Sequence, residues 1–462
     1  MSTITAISTA PGVGGIAVIR VSGMDAVMHC NAIFVPKRKS FFLLEQKANL
    51  ACFGSIVNKQ RELIDEVLVT VFRSPHSFTG EDVVEISCHG SLYVQQQILQ
   101  LLIEQGCVLA QPGEFTQRAF LNSKMDLSQA EAVADLIAST SAASHRMALN
   151  QMRGGFSNEL LKLRTQLLDF VSLVELELDF NEEDVEFADR GKLKSLAITI
   201  GRLIKKLADS FRVGNALKNG IPVALVGETN VGKSTLLNVL LNEDRAIVSE
   251  IHGTTRDVIE DTVNINGIIF RFIDTAGIRD TKDKIENMGI ERTYQKIEQA
   301  DIVLWILDCT QLSEHMEWLT NKIAERAIGK EIILVFNKID KLAEEEREVL
   351  DQLFEQFKGK RIYISAREHV NTEGLKKALI DAAQLPEISS KDIVVSNIRH
   401  YEALQNALKS INRVIDGLDS GISGDFLSQD IRECMHYLGE ITGQISNDEI
   451  LGNIFGKFCI GK

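Results

Sequence analysis

The sequence predicts a multidomain α/β plus all-α protein: an α/β domain at the N-terminus, then a helical domain into which a P-loop, Ras-like α/β domain is inserted. Three observations carry this. The chain has 462 residues, enough for about three domains at roughly 150 residues each. Its texture runs from strand-rich to helix-rich to alternating, and returns to helices after Pro386. A phosphate-loop motif stands between an apolar run and a helical one inside the alternating stretch.

Composition narrows the class. Hydrophobic residues are 45% and charged residues 25%, the balance of a globular chain, which excludes a disordered chain, a collagen-like fibre and a disulfide scaffold. The net charge is −14, so overall positive charge cannot hold nucleic acid; a role on RNA needs a local patch or a partner. The seven cysteines, 30, 52, 88, 107, 309, 434 and 459, show no C-x-x-C spacing, which reads as reduced cytosolic thiols. Cys88-His89 has no second pair at zinc spacing. There is no apolar run of about 18 residues, and residues 1–10 lack a basic and apolar leader pattern. A cytoplasmic location without transmembrane association is expected.

The elements follow in order. Residues 1–122 hold strand patterns at 16–21, 66–72 and 82–86 and a helical period at 92–103, an α/β reading. From 127 to 216, Ala and Leu recur at three- and four-residue spacing, with an acidic, solvated face over 156–190. Residues 217–383 alternate short apolar strands with helices, the pattern of a parallel sheet. Helices resume from 399 to 455. The domains expected are 1–122, 123–216 with 384–462 as one interrupted helical domain, and 217–383 inserted.

The inserted domain carries the chemistry. The apolar run 221–226 leads into Gly227-Glu228-Thr229-Asn230-Val231-Gly232-Lys233-Ser234 and a helix over 235–241. Strand, glycine loop and helix are what G-x-x-x-x-G-K-[ST] requires: backbone N–H groups and the helix N-terminus cradle phosphates. Lys233 is expected to reach the β- and γ-phosphates, and the Ser234 hydroxyl to bind Mg²⁺. Strands 258–265 and 268–273 flank Asn266-Gly267, a type I′ hairpin signal. The second strand ends in Asp274-Thr275-Ala276-Gly277, where Asp274 can hold Mg²⁺ through water and the Gly277 N–H can sense a γ-phosphate. Thr255, in Gly253-Thr254-Thr255-Arg256-Asp257, offers a second hydroxyl to Mg²⁺. Strand 332–336 ends in Asn337-Lys338-Ile339-Asp340, and Asp340 can accept from the N1 and N2 donors of guanine. Strand 361–364 ends in Ser365-Ala366-Arg367, backing for the guanine O6. These pieces imply a GTP site. Where a Ras-type site has a water-positioning Gln, this chain has Ile278. Hydrolysis therefore needs another group, with candidates at 279–286; Arg256 and Arg279 read equally as surface charges.

Further motifs lie in the flanks: Pro11-Gly12-Val13-Gly14-Gly15-Ile16, Ser77-Phe78-Thr79-Gly80-Glu81-Asp82, Pro112-Gly113-Glu114-Phe115-Thr116-Gln117-Arg118-Ala119-Phe120-Leu121-Asn122, and Phe458-Cys459-Ile460-Gly461-Lys462. With the inserted motifs and Ile247-Val248-Ser249-Glu250-Ile251-His252, they make the chain resemble, over essentially its whole length, the MnmE (TrmE) family of bacterial tRNA-modifying GTPases. Glu228-Thr229 departs from the family, where many members carry a residue followed by Pro, away from the phosphates. The resemblance implies a folate-binding N-terminal domain and a homodimer joined through it. It also implies G domains that meet across the dimer, and K⁺ in place of an arginine finger. Asn230, Ser249, Ile251 and Thr254 correspond to the K⁺ ligands, and Glu286 to the acid that orients water. Candidate catalytic residues are thus Lys233, Asn230 and Glu286. The nucleotide-binding set extends through Thr235, Glu250, His252, Gly253, Thr275 and Ala276 of the same loops. Arg20, Glu85, Lys124 and Lys462 correspond to a site for a tetrahydrofolate derivative in its 5-formyl or 5,10-methylene form. The flavoprotein MnmG is implied as partner in a heterotetramer, and C5 of the wobble uridine at tRNA position 34 as the target of an aminomethyl or carboxymethylaminomethyl group.

Two other classes compete. A ribosome-assembly GTPase switch would usually carry a basic RNA-binding appendage, whereas this chain is acidic. A folate-binding scaffold would not need the 227–234 loop. The apolar Phe458 and Ile460 and the small Gly461 read as a segment that tucks into protein, with Cys459 as a small core residue.

Overall fold

A computed structural model describes the chain except residues 39–41, 180–189, 244–260, 274–294, 312–326, 356, 358, 386–391, 446–447, 457 and 462, and the side chains of 176–179, 243, 344–345 and 448–450. The described residues form two compact units, one of 1–134, 151–200 and 406–462, the other of 135–150 and 201–405.

The first unit contains a seven-stranded sheet of β1 (Ile4–Ile7), β2 (Gly14–Ser22), β3 (Phe34–Pro36), β4 (Leu50–Val57), β5 (Leu63–Phe72), β6 (Val83–Gly90) and β7 (Val108–Leu109). Its order is β3-β4-β5-β6-β2-β1-β7, antiparallel except for the β1–β7 pair. Successive side chains of a strand point to opposite faces. On β5, Val67, Val69 and Val71 therefore enter the core with Ile19, Val21, Val84 and Ile86, packed against Ile98 and Leu102 of the helix Leu92–Glu104. Two long helices of the same unit, Gly155–Asp179 and Gly424–Thr442, pack on one another. The first buries Leu160, Leu163, Leu167, Phe170 and Val174, and the second Leu427, Ile431, Cys434, Leu438 and Ile441. Both sets recur every three or four residues, the stripe an amphipathic helix needs.

The second unit contains β8 (Ile221–Val226), β9 (Asp261–Ile265), β10 (Ile268–Phe272), β11 (Ile302–Asp308), β12 (Glu331–Asn337) and β13 (Lys360–Tyr363). Their order is β13-β12-β11-β8-β10-β9, parallel except for the β9–β10 hairpin. Both faces are covered, so the central strands are apolar throughout. On β11, Ile302, Leu304 and Ile306 face one core with Leu236 and Leu240 of the helix Lys233–Glu243 and Leu375 and Leu379 of the helix Thr372–Ala383. Val303, Trp305 and Leu307 face the other, with Leu350 and Phe354. The hairpin turns through Asn266 and Gly267 at φ 52° and 85°, the positive pair a type I′ turn demands.

No helix among the described residues is long and apolar enough to cross a membrane. All seven cysteines are free, six of them buried. Cys459 is exposed, which corrects its reading as a core residue.

Candidate functional site

Strand β8 ends at Val226, and the chain turns through 227–232 into the helix Lys233–Glu243. Two close approaches require glycine here. A Cβ on Gly227 would stand 2.4 Å from the Ile306 carbonyl oxygen, and one on Gly232 would stand 2.3 Å from the Asn337 side-chain nitrogen. Gly232 also sits at φ 101°, where L side chains are strained. Asn230 holds φ 64°, a left-handed conformation asparagine tolerates. Buried Val231 pins the loop to the core beside Leu236 and Ile306. The loop thus delivers its amides to a helix N-terminus, the arrangement that attracts phosphate. The Lys233 ammonium donates to the Gly227 carbonyl (2.5 Å) and the Glu228 carbonyl (2.9 Å). Burial lowers its pKa and Lys296 adds to the effect, with Glu228 opposing.

Three strand ends converge on this loop. Asn337, at the end of β12, donates through Nδ2 to the Val231 carbonyl (2.7 Å) and accepts through Oδ1 from the Ala366 amide (3.0 Å). The Lys338 ammonium donates to the Asn230 carbonyl (2.8 Å) and pairs with Asp308 Oδ2 (2.5 Å). Burial pushes the Asp308 carboxyl up, but hydrogen bonds from Lys338 and Thr310 outweigh it, and its pKa lies below the ordinary value. Asp340 is exposed and accepts from the hydroxyl of buried Ser365 (2.6 Å), which in turn accepts from the Glu368 amide (3.2 Å). The bond from Ser365 fixes the rotamer of a carboxylate at the surface, as reading two adjacent N–H donors requires.

The structure therefore brings together Asn230, Val231, Gly232, Lys233, Asn337, Lys338, Asp340, Ser365 and Ala366. Ser234 and Thr235 lie exposed on the first turn of the helix. The Arg367 guanidinium is at the surface beside Glu368. Ser249, Glu250, Ile251, His252, Gly253, Thr254, Thr255, Asp274, Thr275, Ala276, Gly277 and Glu286 lie outside the described residues. Sequence reasoning did not single out Asp308 or Thr310. A lone Asp ending an apolar strand, Ile302–Asp308, was the available signal.

A second constellation lies on the N-terminal sheet. Arg20 and Glu85 are cross-strand neighbours on β2 and β6 and pair at 2.8 Å. The Arg20 guanidinium lies over the rings of Phe78 (5.5 Å) and Phe115 (5.6 Å). The Lys124 ammonium donates to the Pro75 carbonyl (2.8 Å), and its stem runs beside Gly80. The 75–80 loop thus touches both cations. Behind it, nearly buried Arg118 pairs with Glu81 (3.1 Å) and Glu114 (2.8 Å), and Glu81 accepts from the Ser22 hydroxyl (2.7 Å). The Arg118 network is a support that sequence reasoning quoted as a motif without assigning it a role.

The 458–461 segment meets this layer through its backbone. The Gly113 amide donates to the Cys459 carbonyl (3.4 Å) and the Ser8 hydroxyl to the Gly461 carbonyl (3.0 Å). A Cβ on Gly461 would stand 2.3 Å from the Ile7 carbonyl oxygen. Phe458 packs on Phe455 at 5.5 Å between ring centroids. Ile460 is 60% exposed, against the expectation that it tucks inward. Backbone carbonyls seat this segment, which leaves the side chains of 459 and 460 facing out. Lys462 lies outside the described residues.

A glycine phosphate loop, an Asn-Lys-x-Asp turn and a Ser-Ala loop gathered at the strand ends of a doubly wound sheet define a P-loop GTPase. Residues 3–124 match the model "GTP-binding protein TrmE N-terminus", and residues 127–459 match the model "MnmE helical domain". The chain belongs to the MnmE family. It is 61% identical to the tRNA modification GTPase MnmE of Bacteroides thetaiotaomicron, covering 100% of this chain and 99% of that protein. It is 59% identical to that of Parabacteroides distasonis, covering 100% of both. Among solved structures it is similar to a variant of Aquifex aeolicus Era bound to GDP.AlF4-, at 29% identity and TM-score 0.28 over 41% of this chain and 66% of that one, a superposition too partial to bear on the fold.

Proposed function

We propose that the chain hydrolyses GTP to drive tRNA modification. In this reading it works in the cytoplasm with the flavoprotein MnmG and adds an aminomethyl or carboxymethylaminomethyl group to C5 of the wobble uridine. The observation that supports this most directly is the joining of the phosphate loop to the 337–340 turn through Asn337 and Lys338, in a chain that matches tRNA modification GTPases end to end. The domains proposed are 1–122, 123–216 with 384–462, and 217–383, with homodimerisation through the first. Nucleoside analysis of tRNA from a strain lacking this gene tests the reading: unmodified wobble uridine is expected, and an unchanged nucleoside profile would overturn it.

The chain's own groups suit the ligands this requires. The Ser234 hydroxyl, exposed on the first turn after the loop, is a hard oxygen donor of the kind Mg²⁺ prefers; with Thr255 it would hold that ion, which supplies charge neutralisation at the phosphates. Asn230 is exposed, and its carbonyl is held by Lys338. Among the described residues its side-chain amide has no hydrogen bond, and the amide oxygen suits K⁺. With Ser249, Ile251 and Thr254 it would hold an ion that supplies positive charge in place of an arginine finger. Arg20 and Glu85 on their aromatic bed, with Lys124 and Lys462, suit the carboxylates and N–H groups of a reduced folate, which supplies the transferred carbon. Lys233 anchors the phosphates, and Glu286 orients the attacking water.

K⁺ is expected to speed hydrolysis and Na⁺ not to, because the smaller ion fits poorly in a site with longer oxygen distances. Asn230→Ala should abolish the K⁺ response while leaving nucleotide binding largely intact. Turnover measured in each salt checks this; equal rates in K⁺ and Na⁺ would remove the cation from the mechanism.

A further inference from the structure

We infer that Asp308, the last residue of β11, is a positioning residue for guanine nucleotide binding: acting through the Lys338 ammonium, it locks the base-reading turn onto the phosphate loop. The inference rests on the reading of residues 227–234 and 337–340 as a guanine nucleotide site.

Asp308 is 3% exposed. A buried carboxylate is costly unless it is paired and hydrogen-bonded, and this one is both. Its Oδ1 accepts from the Thr310 amide (3.0 Å) and hydroxyl (2.7 Å), and its Oδ2 from the Lys338 ammonium (2.5 Å). The two bonds from Thr310 fix the carboxylate plane, so the second oxygen has one direction in which to hold a cation. Lys338 gives another of its three donors to the Asn230 carbonyl at 2.8 Å. Its backbone is held at φ 69°, which starts the side chain from a defined direction. The neighbouring Asn337 makes a parallel strut to the Val231 carbonyl. Two consecutive residues of the base-reading turn therefore grip two consecutive carbonyls of the phosphate loop. Asn337 is additionally tied to Ala366. Among the described residues, Asp308 is the only charged partner of the Lys338 ammonium and opposes the pull of solvent on it. Without that charge the ammonium leaves Asn230, and the two halves of the nucleotide site lose their fixed spacing.

The test is the affinity of the full-length chain for GDP, by calorimetry with Mg²⁺, in Asp308→Asn, Lys338→Met and the double variant. Asn keeps the volume and still accepts from Thr310 but presents no charge to Lys338. Each single variant is expected to weaken GDP binding by about thirtyfold or more, the low end of the range for truncating one partner of a buried, hydrogen-bonded charge pair. The double variant should be no weaker than the weaker single, because both remove the same joint. GTP affinity should fall by the same factor as GDP affinity, since the joint does not touch the γ-phosphate. Unchanged GDP affinity in Asp308→Asn would overturn the inference, as would losses that multiply in the double variant. Should Asp308→Asn fail to fold, Thr310→Val decides: a smaller loss in the same direction supports the inference, and none overturns it. If the parent chain binds no GDP, the underlying reading of the site is what fails, and the parent measurement shows that before any variant is compared.

Discussion

Replacing Glu286 with alanine is expected to slow GTP turnover by about 10²-fold or more, the loss typical of a positioned acid–base group. In barrier terms this is about 2.7 kcal/mol. The expectation starts from Ile278, which stands where a Ras-type site places its water-orienting glutamine and cannot bond to water. Another group must do so; the family resemblance assigns that role to Glu286, which lies twelve residues after Asp274 in a polar stretch. Affinity for GTP should barely change. The 227–234 loop, proposed to hold the phosphates, and the 337–340 turn, proposed to hold the base, are joined to each other without this residue. Single-turnover hydrolysis, with a non-hydrolysable analogue to measure binding, separates the two. Near-normal turnover would return Glu286 to the role of a surface charge.

Deleting residues 459–462 should abolish tRNA modification and weaken reduced-folate binding, yet leave GTP hydrolysis mostly intact. The segment bonds to Ser8 and Gly113, and Ile7 and Ala6 on β1 pair with Ile19 and Arg20 on β2. It is therefore seated one strand from the Arg20–Glu85 pair, where Lys462 is proposed to meet a folate carboxylate. Hydrolysis should survive because the nucleotide-site sheet is packed on both faces by its own helices. Calorimetry with a reduced formyl-folate on intact and truncated chains decides. Equal affinity would make the segment a structural plug and remove Lys462 from the site.

Elements written in a local pattern were legible in the sequence. Strand β8, the Asn266-Gly267 hairpin and the helix Leu92–Glu104 follow from apolar period and turn chemistry alone. Strands β1, β3 and β7 are four, three and two residues long, too short to show a period; pairing with distant partners is what makes them strands. The site divides the same way. A glycine loop announces itself because only glycine fits. Asp308 does not, because its meaning comes from Lys338, 30 positions later and just past the end of the next strand. In the 458–461 segment the inward reading holds for Phe458 and buried Gly461 but not for exposed Cys459 and Ile460; the carbonyls of 459 and 461 make the hydrogen bonds, and a sequence does not display carbonyl direction.

The bond from Ser8 to Gly461 spans 453 positions, and this has a consequence in time. A ribosome that has finished β7 at Leu109 has supplied every strand of the first sheet. Roughly 350 more residues separate it from Gly461, and at about 5–20 residues per second that takes roughly 20–70 s. During that interval the nascent sheet can fold, but the Ser8 hydroxyl and the Gly113 amide lack the carbonyls they later bond to. An unfinished or prematurely terminated chain can thus acquire a folded N-terminal layer and a folded nucleotide domain without the last piece of the second constellation. The constellation therefore closes only after residues 459–461 have been made, and a product stopped before them lacks the contacts to Ser8 and Gly113 that the proposed folate-type site draws on.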